Sequence, residues 1–218
     1  MPNDLIILGI PTYAGRVPNK IVESIQKNII GNQTPAIVLA TYGNRSCGDT
    51  LKESVNILSQ NNFYILAAAS LCCEHAFSKF LASGRPNQKD YQDIICFARR
   101  IEEKLPDYTF ISEHKEWEVG PYYVPLKLDG SPARFLKAFP QTNLDGCTDC
   151  KACARVCPMN SIDWNDVSKM VGICIKCQAC VRVCKEHCKY FDDADFLSHV
   201  RMLEENYTEY KENQFWVR

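Results

Sequence analysis

Eight of the chain's 13 cysteines fall between Cys147 and Cys184, in two runs with the same internal spacing. The first reads Cys147-Thr-Asp-Cys150-Lys-Ala-Cys153-Ala-Arg-Val-Cys157-Pro158. The second reads Cys174-Ile-Lys-Cys177-Gln-Ala-Cys180-Val-Arg-Val-Cys184-Lys185. Both are C-x2-C-x2-C-x3-C, and the fillers repeat with them: Ala152 with Ala179, Arg155 with Arg182, Val156 with Val183. The period is 27 residues. An odd number of cysteines excludes a fully paired disulfide framework within one chain. The chain must instead fold so that two thiol-rich loops find other partners.

The spacing states what those partners are. Three cysteines at two-residue intervals can wrap a loop around one cubane, each thiolate taking one iron. The fourth, three residues on, then starts a short helix that points away. This run is a [4Fe-4S] pattern in which the fourth cysteine serves the other cluster. Crossing over assigns Cys147, Cys150, Cys153 and Cys184 to cluster I, and Cys174, Cys177, Cys180 and Cys157 to cluster II. Metal binding then staples the two halves of the duplication together. Structural zinc is the alternative, but it asks only for two C-x2-C pairs roughly 12–20 residues apart, not a third cysteine at the same interval, twice. The runs differ at one place. Pro158 fixes the turn after Cys157, whereas Lys185 follows Cys184 and leaves that turn less constrained. Cys47, Cys72, Cys73, Cys96 and Cys188 read as packed residues rather than ligands.

The net charge of −1 gives no global field to draw in nucleic acid or an anionic membrane. The segment Leu5 to Ile10 lacks the basic flank and length of a signal peptide. No stretch approaches the ~20 apolar residues of a membrane span. The expectation is a cytoplasmic protein in a compartment where thiols stay reduced. Between Cys147 and Tyr190, seven Lys and Arg stand against four Asp and Glu. They are either counter-charge for anionic clusters or a docking patch for an acidic electron-transfer partner.

The first half alternates strand and helix patterns. Residues 4–10, 35–40 and 63–69 are short apolar runs suited to buried strands. Between them, Ile21, Val22, Ile25, Ile29 and Ile30 form one helical stripe, with Gly31 at its C′ position. Leu51, Val55 and Leu58 form another, with Thr50 and Glu53 as a capping box. Residues 88–105 form a third helix ending before Pro106. The pattern predicts an α/β fold with a parallel sheet. Ligands bind such sheets beyond the carboxyl ends of the strands. The loops 11–16 and 41–45 lie there, each offering a tyrosine and a glycine.

Together, the Leu8-to-Gly15 strand and loop, the Thr41-Tyr-Gly-Asn-Arg45 loop and the double cysteine run resemble bacterial flavodoxin–ferredoxin fusion proteins, over residues 4–104 and 145–191. The resemblance implies a flavodoxin-like domain followed by a bacterial-type ferredoxin domain with two [4Fe-4S] clusters. It implies FMN flanked by Tyr13 and Tyr42, with Thr12, Ala14, Gly15, Thr41, Gly43 and Asn44 around it. Glu74-His75 also resembles a family position. One departure argues against FMN binding by these residues alone. The chain opens at what corresponds to the third strand of a flavodoxin, without the phosphate loop whose amides hold the FMN phosphate. The fold is then an N-terminally incomplete flavodoxin-like sheet whose first strand has an open edge. A misassigned start, a partner chain or homo-oligomer covering the edge, or loss of flavin would each account for it.

The expected domains are 1–105, a connector 106–144, the cluster domain 145–191 and a C-terminal helix 192–218. The stripe of that helix is Phe196, Leu197, Val200, Leu203, Tyr207 and Tyr210. Four scattered histidines (His75, His114, His187, His199) make no catalytic constellation. The function that follows is iron–sulfur electron transfer between redox partner proteins. A flavin- or cluster-dependent reductase acting on a small molecule is the alternative.

Overall fold

The computed structural model describes residues 4–107 and 116–218. Residues 108–115 of the expected connector, His114 among them, lie outside the described residues. The chain forms two units. One comprises residues up to 75, 79–123 and 207–218; the other comprises 76–78 and 124–206. The connector is therefore not a separate piece, because 116–123 packs with the first unit and 124–144 belongs to the second. Among the described residues, no helix is long and apolar enough to cross a membrane.

The first unit is built on strands β1 (Ile6–Pro11), β2 (Thr34–Tyr42) and β3 (Phe63–Cys72), separated by helices α1 (Asn19–Asn28) and α2 (Thr50–Gln60) and followed by α3 (Gln88–Lys104). The three strands are parallel and lie in chain order. Ile6, Leu8 and Ile10 of β1 and Ala36 and Val38 of β2 pack with Val17, Ile25, Ile57 and Leu58 on one side. On the other side, Ile37, Leu66, Ala67 and Ala69 pack with Phe97 and Ile101 of α3. A register shift opposite Ala36 and Ile37 lets the consecutive Leu66 and Ala67 both join that second core. β1 forms the open edge, with Ile7 61% exposed.

Several local readings change. α1 stops at Asn28 and its cap is Ile29, so Gly31 lies beyond the C′ position. The Thr50–Glu53 capping box does not form. Glu53 is taken by a stronger partner, accepting from Arg16 Nε at 2.8 Å, Arg16 Nη2 at 2.7 Å and the Val17 amide at 2.9 Å. A bidentate charged pair outweighs one cap bond. The C-terminal helix α6 (Ala194–Asn206) ends before Tyr207 and Tyr210. The chain then returns to the first unit as β6 (Gln214–Val217), antiparallel to β3.

What holds that return in place is a buried polar knot. Arg85 and Asp90 are almost wholly buried and form a bidentate pair. Asp90 also caps α3 by accepting from the Asn87 amide at 2.7 Å. Asn213 donates to Asp90 at 2.8 Å and accepts from the Cys72 amide at 2.8 Å. The Arg85 guanidinium stacks 4.4 Å from the Tyr210 ring centre.

In the second unit, α6 packs through Phe196, whose ring lies 4.9, 5.4 and 4.6 Å from those of Phe77, Phe135 and Phe191. A two-stranded ribbon pairs β4 (Gln141–Thr142) with β5 (Lys189–Tyr190). Two short helices, α4 (Ala152–Val156) and α5 (Ala179–Val183), lie within the duplicated runs.

Asp90→Ala leaves the Arg85 charge buried and unpaired, and is expected to cost about 3–5 kcal/mol, read by urea denaturation. The hydrogen bonds from Arg85 hold the Asp90 carboxyl below the usual range. Its contribution is therefore present above the unfolded value of about 3.9 and is lost as pH falls through the lower folded value.

Candidate metal centre

The duplication is visible in the backbone before it is visible in the side chains. Six non-glycine residues of the runs and their tails have left-handed φ angles, in three pairs one repeat apart. They are Asp149 (53°) with Lys176 (57°), Lys151 (60°) with Gln178 (63°), and Asn160 (48°) with His187 (53°). Alternating right- and left-handed residues curl a chain so that successive amides surround one concavity, a form that suits anions. The first two members of each set bend the loop between the first and third cysteines. The third bends the chain after the fourth. As a result the Ser161 amide donates to Cys157 Sγ at 3.3 Å, and the Cys188 amide donates to Cys184 Sγ at 3.2 Å.

Each short helix holds the third cysteine of its run near its start and stops at the fourth, rather than starting there. Cys157 and Cys184 are C-caps, with ψ of 111° and 103°. The turn after Cys184 thus matches the turn after Cys157 without a proline, because the Cys188 amide does the holding.

Cys157 does not stay with its own run. It lines one cavity together with Cys174, Cys177 and Cys180, walled by Pro140, Ile162, Met170, Ile173 and Phe191. Gln178 lines the same cavity; it is 6% exposed, and its Nε2 has no hydrogen-bond partner among the described residues. Burial pushes the Cys180 thiol up to about 12 and raises that of Cys174. Dry walls disfavour a bare thiolate, whereas a metal centre deprotonates a ligating thiol outright. Four thiols, an orphaned amide donor and apolar walls fit an anionic iron–sulfur cluster. Among the described residues, no three His, Cys, Asp or Glu converge tightly enough for a single metal ion. The four sulfurs line a volume instead.

The other set is less enclosed. Cys153 is buried with Ala154, Ile162, Val167 and Cys180, and Cys147 packs against this group. Cys147 and Cys184 both lie near buried Cys188, whose thiol is raised by burial first and by those two neighbours next. Cys150 is exposed. Cys47, Cys72, Cys73 and Cys96 all belong to the first unit.

The expected flavin loops tell a different story. They do meet at the end of β1, where the Thr12 amide donates to the Thr41 carbonyl of β2 at 2.7 Å. Thr41 and Tyr42 are strand residues, not loop residues. Ala14 and Gly15 form a tight turn closed by the Tyr13 and Arg16 amides, and the Ala14 carbonyl accepts from the Tyr123 amide at 2.8 Å. Asn44 is 2% exposed and donates to the carbonyls of Tyr207 and Glu209 at 2.5 and 3.0 Å. Gly43 abuts His75 so closely that a Cβ would come within 2.6 Å of its Cα. Burial raises the Tyr42 hydroxyl to about 12. The chain's own segments 116–123 and 207–213 thus occupy Ala14 and Asn44. The residues do not fit an isoalloxazine ring, and no flavin chemistry is derived from them.

Residues 139–194 match the family model of the 4Fe-4S dicluster domain. This places iron–sulfur binding and electron transfer, with redox partners, as the chemistry of the C-terminal region. Comparison with curated proteins and with solved structures finds no match.

Purified protein mixed with FMN is expected to leave the flavin's fluorescence unquenched. Saturable quenching at micromolar protein would show that 116–123 and 207–213 yield to a ligand.

Proposed function

We propose that the chain is an electron carrier with two [4Fe-4S] clusters, working between redox partner proteins in the cytoplasm. Cluster I is held by Cys147, Cys150, Cys153 and Cys184. Cluster II is held by Cys157, Cys174, Cys177 and Cys180. The observation that carries this reading is the cavity in which Cys157 joins the three leading cysteines of the other run. The clusters, when bound, supply one-electron exchange.

The chain's own groups do the rest. Amides of Ser161 and Cys188 donate to the sulfurs of the two crossing cysteines. The amide of Lys176 donates to Cys174 Sγ at 3.4 Å. Such donors stabilise charge on ligand sulfur. Phe191, Ile162 and Pro140 keep water from the second site. The excess of Lys and Arg over acids across the runs favours an acidic face on the partner. In this reading the first unit is a flavodoxin-like frame, supported by its three parallel strands in chain order, whose cofactor loops have been turned to internal packing.

Anaerobically purified protein is expected to carry about eight iron and eight sulfide per chain. Cys157→Ala, although it lies in the first run, is expected to remove the cluster whose other ligands are in the second. Cys150→Ala should remove cluster I. Iron and sulfide would fall to about half in each case. An unchanged count in both variants would sink the crossed assignment. A wild-type protein that binds zinc and no sulfide would sink the electron-transfer reading.

A further inference from the structure

Superimposing the two runs by their 27-residue period pairs Ser161 with Cys188 and Ile162 with Lys189. The first pair behaves alike, since both amides hold the preceding fourth cysteine. The second pair does not match in chemistry. Ile162 is 5% exposed and belongs to the apolar group around Cys153 and Cys180. Lys189 occupies the corresponding place and is 3% exposed, so the duplication has put an ammonium where its twin has a hydrocarbon.

The location of that charge is specific. Lys189 opens β5, opposite Thr142 of β4. Its Nζ donates to the Val167 carbonyl at 2.6 Å, and the Thr142 hydroxyl donates to the same oxygen at 3.3 Å. Val167 sits in one apolar group with Cys153 of the first run and Cys180 of the second. The side chain therefore ends near a ligand of each proposed cluster. Its field lowers both thiols, against the larger raising effect of burial. Lys is almost never fully buried unless paired. An ammonium has three donors, and the Val167 carbonyl is the one partner the described residues give it. An unpaired buried cation is costly. That cost is offset when an anionic group stands on each side.

We infer that Lys189 is a potential-setting residue, a buried cation shared by both clusters that favours their more negative, reduced states. The inference rests on the two-cluster reading above. In a low-dielectric interior one fixed positive charge acts on both centres with little screening. Its replacement by a neutral side chain should make both harder to reduce.

The experiment is a redox titration of anaerobically purified Lys189→Met and Lys189→Arg beside wild type, followed by EPR and with iron counted in each. Methionine keeps an apolar stem in a place whose twin is already isoleucine. The reduction equilibrium of both clusters is expected to fall about tenfold or more in Lys189→Met, at 59 mV per tenfold for a one-electron couple. Lys189→Arg should stay at the wild-type potentials. Wild-type potentials in a Lys189→Met protein with full iron would overturn the inference while leaving the clusters standing. Absence of clusters from wild type would overturn the reading beneath it. If Lys189→Met loses its clusters, pulsed EPR on the reduced Lys176→Arg protein labelled with 15Nζ-lysine decides, since Lys176 also reaches Cys174. A lysine nitrogen coupling is expected, and its absence would overturn the inference.

Discussion

The second unit depends on six left-handed bends at residues that are not glycine. Each such residue costs about 1–3 kcal/mol against ordinary backbone. They recur one repeat apart, at Asp149 and Lys176, Lys151 and Gln178, and Asn160 and His187. Without them the cysteine loops could not curl, and the chain after the fourth cysteine could not fold back to offer an amide to its sulfur. The small aromatic core around Phe196 holds α6 against this framework, and Cys174 and Val181 of the second run pack against it. A backbone this strained needs something to over-determine it, and the iron–sulfur binding that goes with a 4Fe-4S dicluster region supplies it.

The first unit is governed by a different constraint. Its sheet is short, and the Arg85–Asp90–Asn213 knot draws the end of the chain back to add β6 beside β3. The same return path takes Tyr207 and Glu209 over Asn44. Segment 116–123 does likewise at Ala14 and Arg16, where Tyr123 donates to one and Arg16 donates to the Gly120 carbonyl. The region beyond the strand ends, where a ligand of such a sheet would sit, is lined by the protein's own carbonyls and rings. The parallel α/β sheet was legible because strands follow from hydrophobic runs, whereas the packing of the loops beyond them depends on distant segments.

Much of the secondary structure was legible because apolar periodicity is local. The three parallel strands and α3 stand within a few residues of where the pattern put them. What failed was local chemistry that a distant group outbid. Thr50 and Glu53 have the spacing of a capping box, yet Arg16 claims the carboxylate and leaves the buried Thr50 hydroxyl without a partner among the described residues. Tyr207 and Tyr210 continue the apolar stripe of α6, yet the helix stops at Asn206 and Tyr210 serves as a platform for Arg85. β6 lies in the stretch 192–218 that the sequence pattern assigns to one helix, because a strand of four residues with Phe215 and Val217 inward carries too little pattern to stand out.

At the cysteines the division is sharper. Spacing alone determined the number of thiols, their grouping in two runs, the duplication and the class of chemistry, because each iron of a cubane needs its own thiolate and the chain between them must be short. Tertiary structure decided that Cys157 shares a cavity with Cys174, Cys177 and Cys180, that a buried lysine acts on both Cys153 and Cys180, and that Gln178 turns an unpaired amide into the cavity wall. Burial and proximity are sums over residues far apart in the chain, and no local spacing encodes them.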